Sequence, residues 1–188
     1  ELIEKIYVNL IFTHEKSPSS IENTLSKFAY EVYTCPYDEI QEKFIEHESL
    51  IKQNILDIDP TIEPRDNFIN SFSNRNASNS QANYLLRKIC ISIESPTTDI
   101  LNTDIEVEHI MPVSRTNWSE IDAELYAENI EKLGNKTLIT QEWNKELSDK
   151  KYEDKKTLYE KESLKITKGE KSFSVLKYAN WNPDSIIK

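Results

Sequence analysis

Two neighbouring residues, Glu108 and His109, sit in the stretch DIEVEHIMPVS at 104–114. A carboxylate beside an imidazole is material for a cation site and a proton acceptor. Neutral imidazole is the natural base near pH 7. A hard cation such as Mg²⁺ takes oxygen ligands and keeps several waters, so one or two protein oxygens suffice to hold it. Glu108 offers a carboxylate, and Asn144, in QEWNKELSDKKY, offers an amide oxygen from a helix. Hydrolysis of a phosphodiester needs these parts: a base for the water, and positive charge on the phosphate and the leaving oxygen. Taken alone, the pair is also what a surface glutamate beside a partly buried histidine looks like.

Such parts need elements to carry them. Ile105, Val107 and His109 alternate with Glu106, Glu108 and Ile110, the period of a short half-buried strand. In a regular strand Glu108 and His109 face opposite sides, so a twist or bulge must let both reach one phosphate. EKLGNKTLIT predicts a turn at Gly134–Asn135 and a second strand, Lys136 to Ile139. QEWNKELSDKKYEDKKTLYEKES predicts a helix, with Trp143, Leu147 and Leu158 for the core. NWSEIDAELYAEN predicts a short helix with Ser119 and Asp122 at capping spacing. The order is strand, excursion, strand, helix.

The region before it reads differently. Ile21, Leu25, Phe28 and Val32 recur at helical spacing, as do Ile40, Phe44, Ile45 and Ile51. QANYLLRKICISIE predicts a third, strongly apolar helix bounded by Pro96. The expected fold class is α+β and mainly helical, with a small ββα-metal motif embedded in helices. The expected organisation is a helical region at 1–100, a platform or linker, and a domain carrying the chemistry at 101–188.

Composition narrows the function. The two glycines exclude a Gly-rich phosphate loop. Cys35 and Cys90 form no CxxC pair, so a zinc knuckle or disulfide scaffold is not expected. His47–Glu48 does not continue to HExxH, because Ile51 stands at the last position. His14 and His47 belong to no motif and are expected to be structural, as are Trp118, Trp143 and Trp181. No apolar run approaches the ~20 residues that span a bilayer, and no signal peptide is visible. The expected location is the cytoplasm, with no membrane partner. The chain opens without Met inside an apolar-periodic segment, as a fragment of a longer protein would.

The net charge of −10 argues against nucleic acid, but its distribution matters more than the sum. Residues 151–188 hold 9 basic and 6 acidic side chains. From Lys132 to Lys177 there are twelve lysines against eight acidic side chains, and a phosphate-facing surface is expected there, with Lys150, Lys155 and Lys156 as DNA contacts. A solvated helix face of mixed charge is the plainer account of each lysine taken singly.

Three ordered motifs, EVEHIMP, KLGNKTLIT and WNKELSDKKY, resemble the HNH, or His-Me finger, endonuclease domain at the C-terminal end of GmrSD-type and SspE-like modification-dependent restriction enzymes. The resemblance covers at least residues 104–188, and NYLLRKICISIE resembles the helix that precedes the finger. It implies a metal-dependent DNA endonuclease of a prokaryotic anti-phage system, with a single Mg²⁺ or Mn²⁺. It implies His109 as general base, Asn135 as the residue that orients it, and Glu108 and Asn144 as metal ligands. The implied partners are DNA, modified or from phage, and an N-terminal nucleotide-hydrolysing sensor domain. Val113, Lys136 and Asp149 depart from the family pattern, and Asp149 leaves open whether a second helical residue joins the metal. The alternative reading is a catalytically inert DNA-docking or protein-interaction module of a larger protein.

Overall fold

The computed structural model describes residues 4, 7–13, 19–58, 65–94, 104–169 and 175–186. His14 and Pro96 lie outside them. The chain forms two compact units, Glu1–Phe72 and Ser73–Lys188. The boundary between units therefore falls before residue 100, and QANYLLRKICISIE belongs to the second unit.

In the first unit a π-helical turn, Tyr7–Thr13, precedes helix α1 (Ser19–Thr34). Helix α2 (Ile40–Ile58) follows, and α3 (Arg65–Asn74) runs across the boundary between the units. The apolar spacing seen in the sequence turns Phe28 of α1 toward Phe44 of α2, edge to face with centroids 5.1 Å apart. His47 packs beside Phe28 and meets the Glu31 carboxylate at 2.7 Å.

The second unit carries the β structure. Helix α4 (Asn79–Ile93) starts at a capping box: Ser78 Oγ accepts from Gln81 N–H, and Gln81 Oε1 accepts from Ser78 N–H. Its Ala82, Leu85, Leu86 and Cys90 are buried. Strands β1 (Ile105–His109) and β2 (Lys136–Thr140) pair antiparallel, with Glu108 opposite Thr137 and His109 opposite Lys136. Helix α5 (Ala123–Asn129) fills the excursion between them. Asp122 alone caps it, accepting from Glu124 and Leu125 N–H, while Ser119 lies before the helix.

Helix α6 (Gln141–Leu147) begins where β2 ends, which completes a strand–strand–helix unit. The long helix expected here is two helices. Ser148 has φ 43°, a left-handed value that breaks the run, and α7 (Tyr152–Tyr159) sets off separately. A short helix α8 (Pro183–Ile186) closes the described chain. The core is made by Ile110, Met111, Trp118, Ile139, Leu147 and Tyr159 together with Trp181. Gly134 lies hard against α8. A Cβ there would stand 2.7 Å from the Ile186 carbonyl oxygen.

Candidate functional site

His109 ends β1, where the chain leaves the sheet. Its side chain keeps 13% of its surface exposed. The Nε2 atom is buried and makes no hydrogen bond, and its nearest carboxylate oxygen, Glu131 Oε1, stands 3.5 Å away. Glu131 is engaged on its other oxygen by Lys136 Nζ at 2.7 Å. Burial and the Lys136 charge push the imidazole below its ordinary pKa, and Glu131 opposes them. The shift favours the neutral imidazole, the form a base must take.

Asn135 precedes β2 and is completely buried. Its Oδ1 accepts from Met111 N–H at 2.9 Å and from Trp181 Nε1–H at 3.1 Å. Its Nδ2 donates to the carbonyls of Met111 at 2.9 Å and Ile130 at 3.0 Å. Its own carbonyl accepts from Ile110 N–H at 2.9 Å. Asn135 thus clamps the two residues that follow His109. It acts on the backbone beyond the histidine, and its four side-chain bonds all go elsewhere than to the imidazole.

Glu108, expected beside Asn144, is elsewhere. Its carboxylate is buried, and Oε1 accepts from Lys155 Nζ at 2.6 Å and from Tyr159 Oη at 3.1 Å. Lys155 also donates to the His109 carbonyl at 2.9 Å. Burial pushes the carboxyl up and the ammonium down, and the pair's mutual attraction opposes both shifts. Asn144, on α6, donates through Nδ2 to Glu106 Oε2 instead. Gln141, one turn earlier, donates to Glu106 Oε1 at 3.2 Å. The structure brings Asn144 together with Glu106, and Glu108 together with His109 only through Lys155.

The three lysines fare differently. Lys155 is fully buried, so its place among the DNA contacts is corrected: an ammonium closed off by its own helix and strand reaches no phosphate. Lys156 is half-buried and donates to the Tyr178 carbonyl at 3.0 Å. Lys150 remains at the surface, 3.7 Å from Glu146.

Glu106, Tyr159 and Glu131 escaped the sequence reading, and Lys155 was read in another role. Glu106 sits two residues before Glu108, on the same strand face, and that alternation was a signal. Lys155 and Tyr159 lie one turn apart on α7, spacing that places both on one helix face. Glu131 had no signal, because it reaches His109 only through the loop before β2. Among the described residues no group of three or more His, Cys, Asp and Glu could hold a metal ion.

Residues 59–188 match the family of GmrSD restriction endonucleases, C-terminal domain. The chain belongs to this family. No curated protein matches the chain, and no solved structure does. Membership in the GmrSD C-terminal family makes nuclease action on DNA the class of chemistry of this domain. Its match takes in α3 and α4 as well as the ββα unit. Among the described residues no helix is long and apolar enough to cross a membrane.

Proposed function

We propose that the second unit is an HNH-type, metal-dependent DNA endonuclease domain, with His109 as its general base. The carrying observation is a largely buried imidazole at the end of β1, in the same strand–strand–helix unit whose helix presents Asn144 to the Glu106 carboxylate. In this reading His109 takes a proton from water as the water oxygen bonds to phosphorus. The bond to the 3′ oxygen breaks, and the leaving oxygen acquires a proton from solvent. Asn135 holds the Ile110–Met111 backbone, and with it the direction in which the imidazole points.

The donor set fits a single Mg²⁺ or Mn²⁺. A β1 carboxylate and the Asn144 amide oxygen are hard ligands, and the half-buried position leaves room for waters. When bound, the cation neutralises charge on the phosphate and on the leaving oxygen. Lys150, at the surface, and the half-buried Lys156 supply further positive charge toward the DNA backbone. The family supports a place in restriction of phage or modified DNA, in the cytoplasm of a prokaryote, under the control of a nucleotide-hydrolysing sensor domain.

The test is cleavage of supercoiled plasmid in Mg²⁺, Mn²⁺ or EDTA, by the chain and by His109→Ala. Metal-dependent nicking that disappears in the variant supports the reading. Cleavage that survives His109→Ala sinks it.

A further inference from the structure

We infer that Glu131, tethered by the buried Lys136, is a positioning residue for the base: its carboxylate keeps the His109 proton on Nε2. This rests on the reading of His109 as general base given above.

Three segments converge behind the imidazole. Strand β1 ends in His109, and β2 begins at Lys136, directly opposite it in the register. Glu131 stands in the turn that leads toward β2. Residues 75–77 run beside that turn: Leu133 N–H donates to the Arg75 carbonyl at 2.7 Å, and Ala77 N–H to the Glu131 carbonyl at 3.0 Å. The Lys136 side chain is wholly buried, and its ammonium donates to the Ala77 carbonyl and, at 2.7 Å, to Glu131 Oε2. Glu131 keeps 49% of its side chain exposed, so an untethered carboxylate here would swing into water. The lysine holds it, and Oε1 faces His109 Nε2 at 3.5 Å.

Two observations assign the proton. Nε2 is closed off from solvent, so it is not the nitrogen that meets an attacking water. A bare Nε2 would also set its lone pair against a carboxylate that can only accept, whereas Nε2–H points a donor at it. With the proton there, Nδ1 carries the free lone pair. When Nδ1 takes the proton of the attacking water, Nε2–H is kept and the ring becomes an imidazolium. The Glu131 charge balances that cation, and no proton passes to the carboxylate. A resting contact of 3.5 Å is of the kind that tightens as the ring becomes charged.

The deciding experiment reads the ring directly. Long-range proton–nitrogen NMR spectra of the full chain, recorded with neutral imidazole, report which nitrogen of His109 carries the proton. Plasmid nicking in Mg²⁺ gives kcat and KM. The proteins are the wild type, Glu131→Gln, the double variant Glu131→Gln/Lys136→Met, and His109→Ala, which also assigns the ring signals. The wild type is expected as the Nε2–H tautomer. In Glu131→Gln the ammonium claims the amide oxygen, because it can only donate. The amide nitrogen then faces Nε2, and the proton moves to Nδ1. A fall in kcat of roughly 10- to 100-fold at unchanged KM is expected. Removing the ammonium as well frees the amide to turn its oxygen to the ring. The double variant should therefore regain the Nε2–H tautomer and part of kcat, although it has lost more contacts than the single one. A purely structural pair would show no such recovery. An Nδ1–H ring in the wild type overturns the inference, as does a Glu131→Gln chain with wild-type tautomer and kcat. Should the double variant not fold, those two results decide. In a chain that does not cut by itself, the tautomer alone decides. Nicking that survives His109→Ala overturns the base reading itself, an outcome distinct from a wrong tautomer on an intact base.

Discussion

The two units handle polar groups in opposite ways. In the first, Tyr30, Tyr33 and Tyr37 are 69%, 89% and 92% exposed, and half of Phe44 faces solvent. The first unit's buried polar side chains among the described residues are Thr13, bonded to the Val8 carbonyl, and His47, bonded to Glu31. In the second, Glu108, Asn135, Thr137, Lys155, Glu162 and Thr167 are all buried. Each of them is hydrogen-bonded. Glu162, for example, accepts from Thr140, Ser163 and Leu164 N–H. A satisfied buried network tolerates one arrangement and penalises others, because every displaced group loses a partner in a dry setting. The second unit is thus held to fixed geometry by this network, whereas the described contacts of the first include aromatic pairs such as Phe28 with Phe44.

That contrast sets the order of expected mutational effects. The largest belongs to Lys155→Met, which leaves Glu108 charged and unpaired inside the protein. A loss of roughly 3–5 kcal/mol in denaturant melts is expected, with most of it restored by Glu108→Gln in the same chain. A Lys155→Met chain as stable as wild type would remove the contrast between the units. Asn135→Ala deprives two carbonyls and two N–H donors of their partner. It is expected to cost about 3 kcal/mol and to abolish plasmid nicking together with the fixed Ile110–Met111 backbone. Gly134→Ala forces a methyl against the Ile186 carbonyl, and about 1–3 kcal/mol is expected. A neutral result there would mean that α8 is free to yield.

The first unit should respond weakly. Tyr33→Ser and Tyr37→Ser are expected to stay within about 0.5 kcal/mol of wild type by the same melts. Its pH response is also small and of known sign. The hydrogen bond from His47 holds the Glu31 carboxyl below its ordinary value of 4.5. A carboxyl depressed in the folded state adds stability that is fully present above 4.5 and is lost as pH falls through the lowered value. Melts between pH 6 and pH 3 should therefore show a small acid-limb loss that Glu31→Gln removes. An acid limb unaffected by that variant would assign it to other carboxylates.

Much of the local structure was readable from residue spacing. The alternation of Ile105–Ile110, the Asp122 cap and the apolar rows of α1, α2 and α4 each express a short-range rule, and each element formed. Misreadings arose where a local rule met a longer one. Ser148 takes a left-handed conformation that no propensity of serine demands, and one expected helix became two. Lys155 looked like a surface charge because lysine usually is one, and only the arrival of α7 over β1 encloses it. Asn135 was singled out, but its partners Met111, Ile130 and Trp181 come from three separate segments.

What the sequence by itself determined is the set of parts: a strand ending in Glu108–His109, a second strand after Asn135, a helix carrying Asn144, and membership in a restriction endonuclease family. These follow from residue types at short spacing, which local backbone geometry translates directly. Which carboxylate meets Asn144, which lysine is buried and which oxygen faces the imidazole were decided only by the tertiary structure. Those outcomes depend on which helix covers each side chain and how much water remains there. Residues 106 and 108 are equivalent in strand periodicity and differ because α6 brings amides to one and α7 brings an ammonium to the other.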